Sequence, residues 1–486
     1  MAAISLSRIV SHWTAIQPDR VALDHLGDRR TWAELEARTN RLARAYAALG
    51  VKADDFVTIA LPNGCEFIEA CLAVWKLGAT PQPISARLPK FERDQIIELG
   101  KPTLVVGVEA EEYAPTPCLT QGFEPDASLP DSQLPERTAA SFKAMTSGGR
   151  PKLIVSKLPA AWDPDTPYLE IANQGTMLIP GPLYHNGPFL WAMIALFKGC
   201  TIVITTRFDA EQELERVEKM GVDIVYLVPT MMRRIWALPE EVRTKYDVSS
   251  LRAVWHLAAP CPAWLKEAFI EWLGAEVIWE LYGGTEGQGS TTIQGTDWLE
   301  HRGSVGRPVE TCEMKIVGEA GEALPPGEVG EVYMRPLAGP GTTYTYLGAE
   351  AKIIDGGWES LGDLGWMDAD GFLYLSDRLS DMVLSGGANI YPAEVEAALD
   401  AFPGVRSSAV IGLPDEDLGA RLHAIVDFPD GAPDEPGLLA HLAERLVRYK
   451  IPRSFEWVRE PLRDDAGKVR RKALREARLG QEQPAG

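Results

Sequence analysis

The sequence predicts an α/β fold in two parts. One is a large N-terminal domain of layered sheets and helices with a small β unit, and the other a small α+β C-terminal domain. Three observations carry that expectation. The 486 residues are too many for one hydrophobic core. Strand-like and helix-like segments alternate along the first part of the chain, the pattern of α/β layers with buried sheets. Near residue 312 this gives way to short strand-like runs between glycine-rich turns, and beyond Arg378 to a compact αβ pattern.

Thr31-Trp32-Ala33-Glu34 has the hydroxyl and carboxylate of a capping box, and Gly50 marks the end of the helix it opens. Leu35, Leu42, Tyr46 and Leu49 then share a face. Residues 56–61 read as a strand, 66–77 as a helix closed by Gly78, and 104–106 as a strand. The Pro-, Asp- and Glu-rich stretch 109–140 reads as a surface loop. After residue 180 come a helix around Trp191, a strand over 201–205, a helix over 211–220 and strands over 224–227 and 275–281. The β unit is expected from the runs 313–317, 330–334 and 372–375. A helix over 393–401, strands over 407–411 and 422–428 and a helix over 437–447 make up the compact αβ pattern beyond Arg378. The boundary is placed at residues 378–381, giving domains 1–379 and 380–486.

A net charge of −21 argues against broad nucleic-acid binding and against docking on an anionic membrane. No apolar run reaches membrane-spanning length. Residues 1–8 lack the apolar core of a signal peptide. The cysteines Cys65, Cys71, Cys118, Cys200, Cys261 and Cys312 are scattered, with no CxxC pair, and read as reduced thiols. A cytoplasmic protein is expected, without stable membrane insertion.

The most informative motif is Tyr282-Gly283-Gly284-Thr285-Glu286-Gly287, directly after a strand-like stretch. Its glycines admit a close ligand, its hydroxyl and carboxylate suit a phosphate and its Mg²⁺, and Tyr282 offers a flat face to a base. Thr146-Ser147-Gly148-Gly149-Arg150-Pro151-Lys152 combines hydroxyls, glycine N–H groups and a lysine that suit a polyphosphate, although it is not a GxxxxGK[ST] loop. Gly362-Asp363 precedes a strand that ends at Asp377-Arg378, and an aspartate at a strand end suits ribose hydroxyls. Gly386-Gly387-Ala388-Asn389-Ile390-Tyr391-Pro392 leads into a helix bearing Glu394 and Glu396. Gly467-Lys468 lies in a polar loop from which a lysine can neutralise developing charge. His185 lies in Pro182-Leu183-Tyr184-His185-Asn186-Gly187-Pro188-Phe189, a shaped loop opening a helix. Taken singly, each piece has a plain alternative as a turn, a surface ion pair, a solvated lysine or a structural histidine.

Together and in this order, these motifs resemble the adenylate-forming superfamily of acyl-CoA synthetases, luciferases and peptide-synthetase adenylation domains. The likeness runs from about Leu6 to Ala473. The resemblance implies that Tyr282 stacks on adenine against the backbone of Ala258, Ala259 and Pro260, with Gly283 beside it. It further implies that Thr285 contacts the α-phosphate, Glu286 binds Mg²⁺, Asp363 holds the ribose with help from Arg378, and Tyr374 flanks the nucleotide. Thr146, Ser147, Gly148, Gly149 and Lys152 would grip the β- and γ-phosphates. His185 would form the wall between nucleotide and acyl pocket, and Lys468 would bridge the carboxylate and the α-phosphate. The C-terminal domain would be mobile about a hinge just after Arg378. One pose presents Lys468, and the other presents Gly386, Gly387 and their neighbours to a thiol.

The implied activity is ATP-dependent activation of a carboxylic acid to an acyl-adenylate, then transfer to CoA with release of AMP. Val254-Trp255-His256-Leu257-Ala258-Ala259-Pro260-Cys261-Pro262 looks like the bacterial branch of bile-acid and steroid-type CoA ligases. That branch implies a bulky, apolar acid in a pocket near His185, Phe189, Trp191, Val228, Met231, Leu257 and Gly284. Two alternatives stand beside this: an amide synthetase that uses an amine as acceptor, and a nucleotide- or acyl-binding protein without turnover. The partners implied are a small carboxylic acid and CoA or an amine, in a chain compatible with a homodimer. The sequence departs from the family pattern in three places. The phosphate loop is short between Ser147-Gly148 and Pro151-Lys152, the hinge carries Ser380 followed by Asp381, and Leu153 stands where many members have Gly.

Overall fold

The computed structural model describes residues 3–146, 152–378, 381–385, 388–415, 418–429, 434–464 and 467–479. Its main feature is a nine-stranded sheet with the order Arg307–Pro308, Ser290–Gln294, Ile278–Gly283, Ala253–Leu257, Ile224–Leu227, Thr176–Ile179, Thr201–Ile204, Val21–His25 and Asp28–Thr31. The stretch from Ile278–Gly283 to Val21–His25 is parallel. Thr201–Ile204, Ile224–Leu227 and Ala253–Leu257 are buried along their whole length, as parallel strands covered on both faces must be. That accounts for their continuous apolar runs.

A parallel sheet of Thr80–Pro83, Phe56–Ile59, Leu104–Val106 and Cys118–Leu119 forms a second layer. Beside it lies an antiparallel sheet of Ala144–Thr146, Leu153–Ser156 and Tyr344–Leu347. The β unit is a five-stranded sheet of Cys312–Val317, Gly330–Pro336, Trp358–Met367, Lys352–Ile354 and Leu373–Arg378. The C-terminal part has its own core around Val395, Leu399, Val410, Ala424, Leu438 and Leu442. It is built from Pro392–Asp400, Ser407–Asp415, Gly419–Asp427, Glu435–Ala443 and Ser454–Val458. The fold class is the one expected: a large α/β part with a β unit and a small α+β part. The proposed division after residue 379 falls at 379–380, outside the described residues, as does Ser380.

Local signals account for many elements. Thr31 Oγ1 accepts from the Glu34 N–H at 3.2 Å while Glu34 Oε2 accepts from the Thr31 N–H at 2.8 Å, which completes the capping box of Trp32–Ala48. Gly50 and Gly78 follow their helices with φ of 100° and 74°. Two expectations are corrected. The last helix of the 437–447 region is Glu435–Ala443, because Pro436 fits a first turn, where no N–H is needed. Asp363 does not end a strand. It lies inside the ten-residue strand Trp358–Met367, opposite Arg378, and the register slips just beyond it between Leu364 and Gly365. Gly362 at φ 82° lies in a second irregularity of the same strand, where its pairing with Gly330–Pro336 passes from Glu331↔Leu364 to Tyr333↔Ser360.

Candidate active site

The carboxyl ends of the parallel strands open into a cleft, the usual ligand position in open α/β sheets. Ala258, Ala259 and Pro260 follow one strand, Val228 the next, and Tyr282, Gly283 and Gly284 end a third. The cleft volume is about 2180 Å³. That is roughly twice a large single-ligand site of ~1,000 Å³, so two substrates fit together.

One end of the cleft is built around Glu286, which is 5% exposed. Its Oε1 accepts from the Tyr346 hydroxyl at 2.6 Å and lies 3.4 Å from Lys152 Nζ. Lys152 also donates to Tyr346 Oη at 3.2 Å and sits 4.4 Å from that ring's centre. Burial, and then the bond to Glu286, push the Tyr346 hydroxyl pKa up, so it remains a donor. Oε2 of Glu286 accepts no hydrogen bond among the described residues. A Cβ at Gly284 would stand 2.8 Å from that oxygen and 2.6 Å from Leu361 Cδ1, so the glycine keeps the carboxylate clear. One oxygen anchored and the other open suits Mg²⁺, which takes one or two carboxylates and completes its shell with phosphate and water. No cluster of three or more His, Cys, Asp or Glu side chains offers a closed metal cage among the described residues.

At the other end, the Tyr282 hydroxyl donates to Asp363 Oδ2 at 2.7 Å, tying the glycine-rich strand end to the β unit. Ala258, in the adjoining wall, holds φ 73°, a left-handed conformation that costs a side-chain-bearing residue about 1–3 kcal/mol. Beneath this wall Glu280 accepts from Lys266 Nζ at 2.7 Å and stands 3.8 Å from His256 Nε2. Burial lowers the His256 pKa to about 4, so that imidazole is neutral.

The cleft gathers most of the anticipated residues: Thr146, Lys152, His185, Trp191, Leu257, Ala258, Ala259, Pro260, Tyr282, Gly283, Gly284, Thr285, Glu286, Asp363 and Lys468. His185 caps the helix Asn186–Phe197, with its ring centre 4.4 Å from that of Tyr184. Lys468 comes from the C-terminal part on a turn in which its N–H donates to Asp464 Oδ1 at 2.9 Å. A Cβ at Gly467 would lie 3.4 Å from Thr230 Oγ1 and 3.8 Å from Ala259 Cβ, so the lysine loop is docked against the large part. Arg233 secures the same contact by donating to the carbonyls of Asp400 and Val405 and pairing with the Asp400 carboxylate at 3.4 Å.

Two residues are not where the sequence placed them. Phe189 is fully buried among Phe67, Trp75 and Phe142, with ring centres at 6.4, 6.3 and 5.9 Å. On its helix Asn186, Gly187, Pro188, Leu190 and Trp191 line the cleft, and Phe189 does not. Tyr374 stacks on Trp366 at 4.0 Å and donates to Asp368 Oδ2, away from the cleft lining. Ser147, Gly148, Gly149, Gly386 and Gly387 lie outside the described residues, and nothing is described of the Arg378 side chain. Tyr346 is a site residue that the sequence reading missed, although the alternation in Tyr344-Thr345-Tyr346 marks a strand with an aromatic face.

Comparisons with known proteins identify the family of the chain. Residues 10–347 match the AMP-binding enzyme family and residues 394–468 its C-terminal domain. The feruloyl-CoA synthase of Amycolatopsis sp is 33% identical over 477 residues, spanning 93% of this chain and 95% of that protein. The o-succinylbenzoate CoA synthetase of Bacillus subtilis, solved with its acyl-adenylate intermediate, is similar at a TM-score of 0.81 and 27% identity over 98% of each chain. The amide bond synthetase McbA of Marinactinospora thermotolerans gives a TM-score of 0.79 at 25% identity, over 98% of this chain and all of that one. With its N-terminal match covering well over half the sequence, the chain belongs to the AMP-binding enzyme family of adenylate-forming enzymes.

Proposed function

We infer that this chain is an AMP-forming acid–CoA ligase that uses ATP with Mg²⁺. One observation carries the reading: Glu286 with Lys152, the Tyr282–Asp363 pair, and Lys468 from the other part of the chain line one cleft. An oxygen of the acid's carboxylate attacks the α-phosphorus of ATP, the bond to the β-phosphate oxygen breaks and pyrophosphate leaves. The sulfur of CoA then attacks the acyl carbon, the bond to AMP breaks, and the thiol proton passes to solvent. Both substrates of the first step are anions, so positioning and charge neutralisation carry most of the acceleration.

In this reading Tyr282 and the backbone of Ala258, Ala259 and Pro260 hold adenine, and Asp363 holds the ribose. Thr285 contacts the α-phosphate, while Thr146 and Lys152 flank the terminal phosphates. Lys468 draws carboxylate and α-phosphate together, and His185 separates nucleotide from acyl group. Glu286 holds the Mg²⁺, which supplies charge neutralisation to the polyphosphate. Trp191, Val228, Met231 and Leu257 give the acyl end of the cleft a largely apolar wall. That favours a bulky, apolar acid, and the aromatic acid named for the feruloyl-CoA relative supports this class.

ATP–pyrophosphate exchange against a panel of bulky aromatic and alicyclic acids tests the reading. Acid-dependent exchange is expected, and none with any acid sinks it. The likeness to an amide bond synthetase supports a second acceptor class. Product mass with CoA or amines offered to the adenylate decides between them, with acyl-CoA expected.

A further inference from the structure

Lys143 has no part in the scheme above, yet it is a buried lysine in the wall of the cleft, 7% exposed. The other buried lysines all have partners. Lys76 meets Glu36 at 2.7 Å, Lys266 meets Glu280 at 2.7 Å, and Lys198 donates to the carbonyls of Pro164 and Thr166 at 3.1 and 2.9 Å. Among the described residues the Lys143 ammonium makes no ion pair or hydrogen bond. Burying an unpaired ammonium is strongly unfavourable. A lysine kept there for structure alone would have acquired a carboxylate or carbonyl partner, as the other three have.

Its place in the sheet shows which ligand would supply one. The Lys143 carbonyl accepts from the Ser156 N–H at 2.9 Å, which continues the register Ala144↔Val155, Met145↔Ile154 and Thr146↔Leu153. On the next strand Tyr344 lies opposite Ser156 and Tyr346 opposite Ile154. Directly paired residues share a face, and so do residues two apart on a strand. Lys143 therefore stands on the same face as Lys152 and Tyr346, the two residues that hold Glu286. Its strand runs straight into the short phosphate loop. Burial lowers the Lys143 pKa from its ordinary 10.5 to about 7, and Glu286 is the carboxylate whose charge opposes that shift. An arriving polyanion would restore the full charge.

We propose that Lys143 is a polyphosphate-binding residue of the nucleotide site, taking the β- and γ-phosphates of ATP as its counter-ion and supplying a cation where the shortened loop 146–152 offers few donors. This deepens the ligase reading and shares its nucleotide site. The acid's carboxylate is the competing anion, and the two are separable.

The test is calorimetric binding of ATP, pyrophosphate and AMP, each with Mg²⁺, to the full chain with neither acid nor acceptor present. Without acid turnover, the result stands even if no acid supports exchange. Replacing a charge-assisted contact with Lys143→Met should weaken ATP and pyrophosphate about tenfold or more. AMP, which lacks the outer phosphates, should stay within about twofold. Lys143→Arg should restore most of the loss, and Lys143→Gln serves if the methionine variant does not fold. In steady state the KM for ATP should rise while that for the acid holds. Unchanged ATP affinity, equal weakening of AMP, or a rise confined to the KM of the acid would each overturn the assignment.

Discussion

The floor of the cleft and the lysine loop above it are built on opposite principles. Tyr282 to Glu286 leave a strand paired on both sides and are then braced by Asp363, Tyr346 and Lys152 through side-chain contacts of 2.7, 2.6 and 3.4 Å. Lys468 is exposed, on a turn held by its own Asp464, and its loop meets the adjoining wall at Thr230 and Ala259 through Gly467. The wider contact rests on Arg233 and Asp400. Burial pushes the Asp400 carboxyl pKa up and the Arg233 guanidinium pKa down, each in the direction of losing its charge. A buried ion pair gives back in attraction about what it spends in desolvation, so such a contact can specify a pose without locking it. The groups that must be accurate are sewn into a sheet. The group that the proposed two-pose scheme moves between half-reactions is held by charges that water can replace.

Substitutions that strike one side only put this contrast at risk. The largest effect is expected at the loop: Lys468→Ala should cut acid-dependent exchange about a thousandfold while sparing CoA transfer from supplied acyl-adenylate. Equal loss in the two assays would contradict the division. On the floor, Glu286→Gln should lower exchange about a hundredfold and raise the Mg²⁺ needed for half-maximal rate. An unchanged metal requirement would remove Glu286 from the metal site. At the contact between the two regions, Arg233→Ala should slow exchange about three- to tenfold, a population shift of roughly 1 kcal/mol, with CoA transfer undiminished. Parallel slowing of both half-reactions would make Arg233 merely structural. The smallest change is Tyr282→Phe, which removes one hydrogen bond to Asp363 and should raise the KM for ATP about two- to fivefold. A larger effect on the acid would misplace that pair.

Legibility in the sequence follows the range of the interaction. The capping box at Thr31 and Glu34 is made by residues three apart, and the sequence states it. The buried parallel strands announce themselves because both faces must be apolar. Asp363 misled because Gly362, Gly365 and the slipped register break the alternation that marks a strand. Phe189 misled for a different reason. Its helix is apolar on nearly every side, so Trp75 and Phe142, far away in the chain, decide which face sees the cleft. Tyr346 with Glu286 and Arg233 with Asp400 join residues 60 and 167 apart, a separation that carries no local pattern. Lys143 was unread because the absence of a partner becomes visible only once every neighbour is in place.

The order of the large sheet also has a consequence in time. Val21–His25 is made early, yet its parallel partner Thr201–Ile204 appears much later, and Leu23 pairs with Ile202. At about 5–20 residues per second, an N-terminal hairpin waits roughly nine to thirty-five seconds on the ribosome before its neighbour emerges. Until then one side of Val21–His25 has no strand to pair with, and its Ala22 and Leu23, fully buried at the end, are open to water and to other chains. The charged Asp28–Thr31 strand covers the other side from the start, so during synthesis it serves as a guard against premature association.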